Sequence, residues 1–456
     1  MKWHLVREPW WAAPTLFLIG CATPRRDAFS PTDLEVYRSP PSELPSPPGE
    51  DLGALSAPTL DRRAYVRAVL RRNRSIESSR QAWRAAIGRA RQTGSLEDPS
   101  VTVDVAPLSI GRSGARLGWD ASVSQHLPWP GKLALDEAVA QAEADAARSD
   151  FEASRRELAL TASLLFDQYF VTVRSIEVNA HHVDLMRSMQ AAATAQYEVG
   201  RGSAQDSLQA EFELTHMEHD AVVLATQRDV VVAQMNELLH RAPELRLPPP
   251  PSELALPPPP GASNAGPIET EAVERRPEIV AARERARAAQ ARAERAAREY
   301  LPDITVSTSF SSLWDVPEHR WMVGLGFNLP VQPERRGGAV DEAKATRAHY
   351  EAEAERMGDA ARTAVAVSLK QLEESGHVLH IFEDRLLPIA RQQVDAARSA
   401  FAASKVPFVT VIDAEKNLRG VELEQETAQA DYDRRRAELD RAVGLIPGLD
   451  GKEDAR

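Results

Sequence analysis

The sequence predicts a mainly α-helical protein with a small β part, built from two tandem copies of a helix, β-hairpin, long helix, helix unit. Three observations predict it. Sequence landmarks recur at an offset of about 204 residues, the helical segments are several times the ordinary length, and the apolar period switches from 3.6 to 2 at the same place in each copy. The repeat is legible in Tyr197-Glu198-Val199-Gly200-Arg201-Gly202-Ser203 against Phe401-Ala402-Ala403-Ser404-Lys405-Val406-Pro407. Glu97-Asp98-Pro99-Ser100-Val101 runs against Tyr300-Leu301-Pro302-Asp303-Ile304, Asn73 against Arg276, and Gly131 against Gly337. Residues 60–240 form the first copy, with strands about 100–127, and residues 268–443 the second, with strands about 302–330.

In chain order, Lys2 and Arg7 precede an apolar stretch that ends Leu18-Ile19-Gly20-Cys21. Residues 1–20 are therefore expected to be a lipoprotein signal peptide, with Cys21 as the lipidated mature N-terminus. Residues 21–59 are Pro-rich and polar and predict an extended arm. Gly131 to Glu198 spans about 68 residues, or ~100 Å of helix at 1.5 Å per residue. The shorter helices on either side, Leu60 to Gly94 and Ser203 to His240, sum to nearly that length, so two laid end to end match the long one. Ala282, Ala286, Ala289, Ala293 and Ala296 repeat at 4,3,4,3 spacing, a seam that allows close helix contact. Helices this long need lateral partners along their whole length, so a bundle or a tunnel follows. Residues 241–267, with Pro248 to Pro251 and Pro257 to Pro260, predict a polyproline-type linker, and 444–456 a C-terminal tail.

Composition narrows the function classes. The chain has 456 residues, a net charge of −12 and one Cys, which excludes a disulfide framework and a multi-thiolate zinc site. Arg is plentiful but interleaved with Glu and Asp, the pattern of solvated helix faces and not of a nucleic-acid surface. No P-loop, nucleophile elbow or His-Glu-x-x-His motif occurs, so neither an enzyme nor a cofactor is expected. His216 and His219, like His377 and His380, are spaced i,i+3, but solvated helical histidines account for them, and no metal site is assigned.

No run of 18 apolar residues exists, so helical spans are excluded while a β-barrel is not. Val101, Val103 and Val105 alternate with Thr102 and Asp104, and Trp321, Val323, Leu325 and Phe327 alternate with Gly324 and Gly326. Four such strands of about 9–11 residues fit a barrel that faces lipid outward and water inward. Trp119, Val123, Val323 and Phe327 are expected toward lipid, and Asp120, Ser122, Ser307 and Asn328 toward the lumen. Trp119, Trp129, Trp314 and Trp321 lie in or beside the strands, as membrane-interface aromatics do. Four strands cannot close, and open edges are not tolerated in lipid. Three chains would make a trimeric 12-stranded barrel. The competing reading is a lipid-anchored periplasmic coiled-coil structural or adaptor protein without a pore, which needs no lipid-facing sheet.

Leu301-Pro302-Asp303-Ile304, Pro128-Trp129-Pro130-Gly131-Lys132 and Tyr197-Glu198-Val199-Gly200 with Asp206, Leu208 and Ala210 carry a specific likeness. The sequence resembles the TolC family of outer-membrane efflux proteins over nearly the whole chain after Cys21. That resemblance implies a homotrimer in the outer membrane, with a barrel, a long α-helical tunnel in the periplasm, and a periplasmic adaptor and inner-membrane pump as partners. It further implies that the helix-turn tips at Gly200, Gly202, Ser404 and Pro407 contact the adaptor, although Ser404 stands where the family has Gly. Asp413 matches a position where relatives place an inward carboxylate at the periplasmic constriction. Its competing reading is a surface charge paired with Lys416 at i+3.

Overall fold

The computed structural model describes residues 31–38, 57–110, 116–200, 202–256, 265–403 and 405–449. It divides into two compact units, one drawn from residues 1–40, 81–148 and 281–354, the other from 41–80, 149–280 and 355–456.

Helices dominate both copies. In the first, α2 (Arg62–Arg72) and α3 (Arg74–Thr93) precede a hairpin, then α4 (Lys132–Glu198) and α5 (Ala204–Leu238). In the second, α6 (Ala265–Arg275) and α7 (Pro277–Ala297) precede a hairpin, then α8 (Pro333–Ile381), α9 (Leu387–Ala402) and α10 (Phe408–Val443). Each leading helix, expected to be single, is broken at the same repeat position. At Asn73 the backbone is extended, its side-chain oxygen accepts from the Ser75 N–H at 2.9 Å, and its amide donates to the Leu238 carbonyl at 3.1 Å. In the second copy Pro277 has no N–H to continue the ladder and sits instead at the first position of α7.

The second long helix carries an insertion. Between α8 and α9 a single π-turn, Phe382–Leu386, ends with the Leu387 N–H donating to the Phe382 carbonyl. Pro388 follows, and its ring would strike the carbonyl four residues earlier in a regular helix, so the wider turn relieves the clash. The inserted residue also explains the repeat arithmetic. Buried Ala162 and Tyr169 correspond to buried Val365 and Leu372 at an offset of 203, whereas Met186 and Ala193 correspond to Ala390 and Ala397 at 204.

The larger unit has a core at the end of each copy. Tyr65, Val66, Phe166, Tyr169, Met235 and Leu239 pack in the first, and Val365, Leu372, Leu379, Tyr432, Leu439 and Val443 in the second. Leu449 joins the first cluster, so residues 444–449 of the expected tail belong to the folded unit. Gly444 closes α10 in the left-handed region at φ 92, as a helix-terminating glycine does.

The smaller unit holds β1 (Ser100–Val105), β2 (Trp119–Leu127), β3 (Ile304–Ser311) and β4 (Trp321–Phe327) in one antiparallel sheet of order β1-β2-β3-β4. β2 has 9 residues, as expected, whereas β1, β3 and β4 have 6, 8 and 7, fewer than expected. Pro107, Pro302 and Pro330 flank them and donate no ladder hydrogen bond, and β1 and β4 have a partner on one side only. Three other boundaries differ. The arm read as extended contains α1 (Pro31–Arg38), opened by Pro31 with Asp33 in its first turn. Its Tyr37 ring lies 4.2 Å beneath the Arg91 guanidinium. The linker ends earlier, because α6 begins at Ala265. Gly337 lies inside α8 and not at a strand-to-helix corner, so the pairing of Gly131 with Gly337 is wrong: at the offset of 203 the corner falls at Glu334.

Candidate functional site

The sheet sorts its side chains by chemistry. Directly opposed residues share a face, and Val101, Val123, Thr308 and Val323 stand in one row across four strands. Val103, Ala121, Phe310 and Trp321 stand in the next, and Val306 opposes Leu325 on the same face. The other face carries Thr102, Ser122 and Ser309, then Ser100, Ser124, Ser307 and Gly324. Trp119, Val123, Val323 and Phe327 thus lie on the apolar face, and Asp120, Ser122 and Ser307 on the polar one. Asn328 falls one residue beyond β4, where its side chain bonds to Asp303. The apolar face is bare: Val101 is 70% exposed, Val323 78% and Leu325 66%. A soluble sheet would bury these side chains, each worth about 1.5–3 kcal/mol.

The tryptophans mark both ends of this face. Trp119 and Trp321 flank Phe310, with ring centroids 5.2 and 5.4 Å apart, at the end where the hairpins turn. Trp314 sits in the β3–β4 connection, edge-on to His319. Trp129 lies at the opposite end, where β2 leads into α4.

At that end two of the motifs singled out in the sequence interlock. The Lys132 ammonium is wholly buried, 2.8 Å from an Asp303 oxygen and 3.0 Å from the Leu301 carbonyl. The same Asp303 oxygen accepts the Trp129 N–H at 2.8 Å. Gly131 takes φ 87, and a Cβ there would collide with Arg298. Nothing in the spacing of Lys132 and Asp303, 171 residues apart, points to this pair; only their places in repeated motifs hint at it.

The helix-turn tips lie in the larger unit. Gly200 has φ 70, Gly202 donates its N–H to the Gln196 carbonyl at 3.1 Å, and Ser203 caps α5 in a reciprocal box with Asp206. A Cβ at Gly202 would come within 3.2 Å of the Gln196 Cβ. Pro407 caps α10, and Phe401 and Phe408 pack across the second turn at 5.3 Å. Ser404 and Cys21 lie outside the described residues. Met186, Ala193, Ala210, Met217, Phe408 and Ile412 form one apolar cluster joining the two tips.

Above this cluster α10 is tied by charge. Arg398 pairs with the buried Glu415 at 2.5 Å, and Lys416 with Glu213 at 3.3 Å. Arg419 reaches Asp220 at 2.6 Å and the Asn179 side-chain oxygen at 2.7 Å. Glu422 bonds to His182 at 2.9 Å, and Glu426 to Arg174 at 2.9 Å. The hydrogen bond from His182 holds the Glu422 carboxyl below its usual range. Burial alone would raise Asp220, but the Arg419 hydrogen bond and charge outweigh it and lower the carboxyl. Sequence reasoning missed this ladder because its members are far apart in the chain. Asp413 is exposed, and Lys416 turns to Glu213 instead of to it. His216 and His219 both approach Asp220, at 3.6 and 3.5 Å. Among the described residues no three of His, Cys, Asp and Glu converge as metal ligands, and no helix is long and apolar enough to cross a membrane.

Residues 270–445 match the family model described as Outer membrane efflux protein. The fold is that of solved outer-membrane channels. The channel OprN superimposes with a TM-score of 0.72 at 18% identity, over 91% of this chain and 96% of that one. CusC, described for its folding and transmembrane channel formation, gives 0.73 at 16% identity over 90% and 99%. VceC, an outer membrane protein of Vibrio cholerae, gives 0.71 at 16% identity over 84% and 96%. No curated protein matches the chain significantly.

Proposed function

We propose that the protein, whose residues 270–445 match the outer membrane efflux protein family model, is an outer-membrane efflux channel, the passive exit duct of a tripartite system. The observation that carries this reading is the sheet: an apolar face open to the surroundings, ending on both sides in unpaired strands. Lipid satisfies the face, and only copies of the same chain satisfy the edges. β4 of one chain pairing with β1 of the next, three times over, closes a 12-stranded barrel in a homotrimer, with the polar Ser and Thr rows lining the lumen. The long helices then continue the duct into the periplasm. Small molecules or ions delivered by an inner-membrane pump through a periplasmic adaptor leave through it, and the tips at Gly200, Gly202, Ser404 and Pro407 meet the adaptor. Cys21 anchors the chain to the outer membrane.

Each chain places one Asp413 near the tip, so the trimer carries a ring of three carboxylates at the periplasmic constriction. At ~8 Å separation each pair repels by ~0.5 kcal/mol in bulk water, and by more where water is restricted. Such a ring favours cations and binds divalent ions. The duct performs no covalent chemistry and needs no cofactor.

Purified protein should be a heat-modifiable trimer, extracted only by detergent, that conducts ions in planar bilayers. A detergent-independent, non-conducting protein would instead be the pore-free periplasmic scaffold.

A further inference from the structure

The two copies balance the charge of the same joint differently. In the second copy the joint between α6 and α7 carries its own carboxylates. Glu271 pairs with Arg275, while Glu278 lies 3.9 Å from Arg276 and pairs with Arg441 near the end of α10. Burial would raise the Glu278 carboxyl, but the neighbouring arginines, Arg441 foremost, outweigh it and hold the group below its usual range. The matching joint in the first copy lies between α2 and α3, where the offset of 203 puts Ala68 in place of Glu271 and Ser75 in place of Glu278. Both copies leave the last helix through a left-handed residue, His240 at φ 54 and Gly444 at φ 92, so the ends of α5 and α10 correspond as well.

The arginines do not leave with the carboxylates. Arg72 matches Arg275, Arg74 stands where α7 has Pro277, and Arg241 is added just after α5. Arg72 donates from Nε to the Leu239 carbonyl at 3.1 Å, which brings it beside the chain leading to Arg241. Among the described residues none of these three arginines pairs with a carboxylate. Glu237, which matches Arg441, is exposed and pairs with none of them. Arg241 is the most isolated: its Nε and Nη1 are buried and have no hydrogen-bond partner. Burial, and after it the charge of Arg72, push the Arg241 guanidinium below the usual arginine range. Desolvated donors beside a like charge are costly unless an acceptor of opposite charge completes them.

We propose that the joint between α2 and α3 binds an external oxyanion, a carboxylate or phosphate group, held by Arg241 and Arg72 in the role that Glu271 and Glu278 fill in the second copy. Guanidinium groups suit this ligand, because their paired N–H donors match the spacing of two oxygens on one carboxylate or phosphate. Ser75 is exposed, so the anion reaches the joint from solvent. Once bound, it ties α2 to the segment after α5 by charge, a tie that the second copy builds from its own side chains.

Calorimetric titration of the purified full-length protein in detergent tests the site, with sodium phosphate and sodium citrate as separate probes and sodium chloride holding ionic strength constant. At least one probe should bind once per chain, phosphate identifying a phosphate ligand and citrate a carboxylate one. Arg241→Gln should weaken that binding at least tenfold. Ser75→Glu, which supplies the second copy's carboxylate from within, should weaken it as much, whereas the neutral Ser75→Gln should bind like the parent. The bound probe should also raise the unfolding temperature of the parent and leave that of Ser75→Glu unchanged. A parent that takes up neither probe beyond the chloride control overturns the site. So does a Ser75→Glu protein that binds as tightly as the parent. Should Arg241→Gln fail to fold, the two Ser75 variants decide, since that side chain is exposed.

Discussion

Removing the carboxylate of Asp303 should disable the corner where the sheet meets α4. Lys132 has no solvent exposure, and its ammonium has two close acceptors, Asp303 at 2.8 Å and the Leu301 carbonyl at 3.0 Å, with Glu299 at 4.0 Å. Asp303→Ala leaves a buried cation with one backbone oxygen in contact. Breaking a buried pair from one side costs about 3–5 kcal/mol, because the remaining charge stays desolvated. The loss also orphans the Trp129 N–H, adding about 1–3 kcal/mol if water cannot reach it. Lys132→Met keeps the volume and removes the charge, and Asp303 retains the Trp129 N–H and the Asn328 amide, so it should cost less. The double variant should recover at least 2 kcal/mol of the Asp303→Ala loss. Guanidinium titration of detergent-solubilised trimers reads these differences. If Asp303→Ala costs under about 1 kcal/mol, or if Lys132→Met brings no recovery, the buried pair does not organise the corner and the argument fails.

Leu325→Arg, on the bare apolar face, should cost ~2–4 kcal/mol in folding into lipid if the residue lies near the bilayer midplane, and a near-zero cost would mean that this face does not meet lipid. Asp413→Ala trimers should show weaker cation selectivity and weaker block by a trivalent cation in planar bilayers; an unchanged block would make Asp413 an ordinary surface charge. Burial pushes the Asp167 carboxyl well above its usual range, partly offset by Arg62 and reinforced by Asp433. The folded state then holds a proton that the unfolded chain has released, so this group's contribution to stability falls as pH rises from about 4 toward the raised value. Asp167→Asn should flatten stability against pH in that window, and parallel curves for variant and parent would refute the assignment. Mass spectrometry of the mature chain should show diacylglycerol on Cys21; an unmodified thiol or cleavage elsewhere contradicts the lipobox reading.

Local pattern made much of this protein legible. Alternation in Val101 to Val105 and Trp321 to Phe327 assigned the two sheet faces, because successive strand residues point to opposite sides whatever lies beyond. The tip glycines were legible because Gly200 occupies a left-handed conformation that side chains resist. Less legible were elements ruled by distant partners. The π-turn at Phe382–Leu386 differs from ordinary helix by one residue, which an alignment of copies reads as a drift in offset. The equivalence of Gly131 and Gly337 failed because only Gly131 takes a left-handed conformation, at φ 87, that side chains resist, whereas Gly337 is an ordinary position inside α8.

The sequence by itself determined the duplication, the long first-copy helix from Lys132 to Glu198, the four strands and their two faces, since these follow from periodicity within single elements. Only the tertiary structure decided which charges meet. Lys132 finds Asp303, and Glu426 finds Arg174, across 171 and 252 residues of chain. Such pairs obey no spacing rule, because burial and helix register place them. Asp413 and Lys416, one turn apart on α10, look like partners in the sequence, yet Lys416 bonds to Glu213 on α5. The neighbouring helix supplies a carboxylate in a drier place, where a charge pair is stronger than on a solvated helix face.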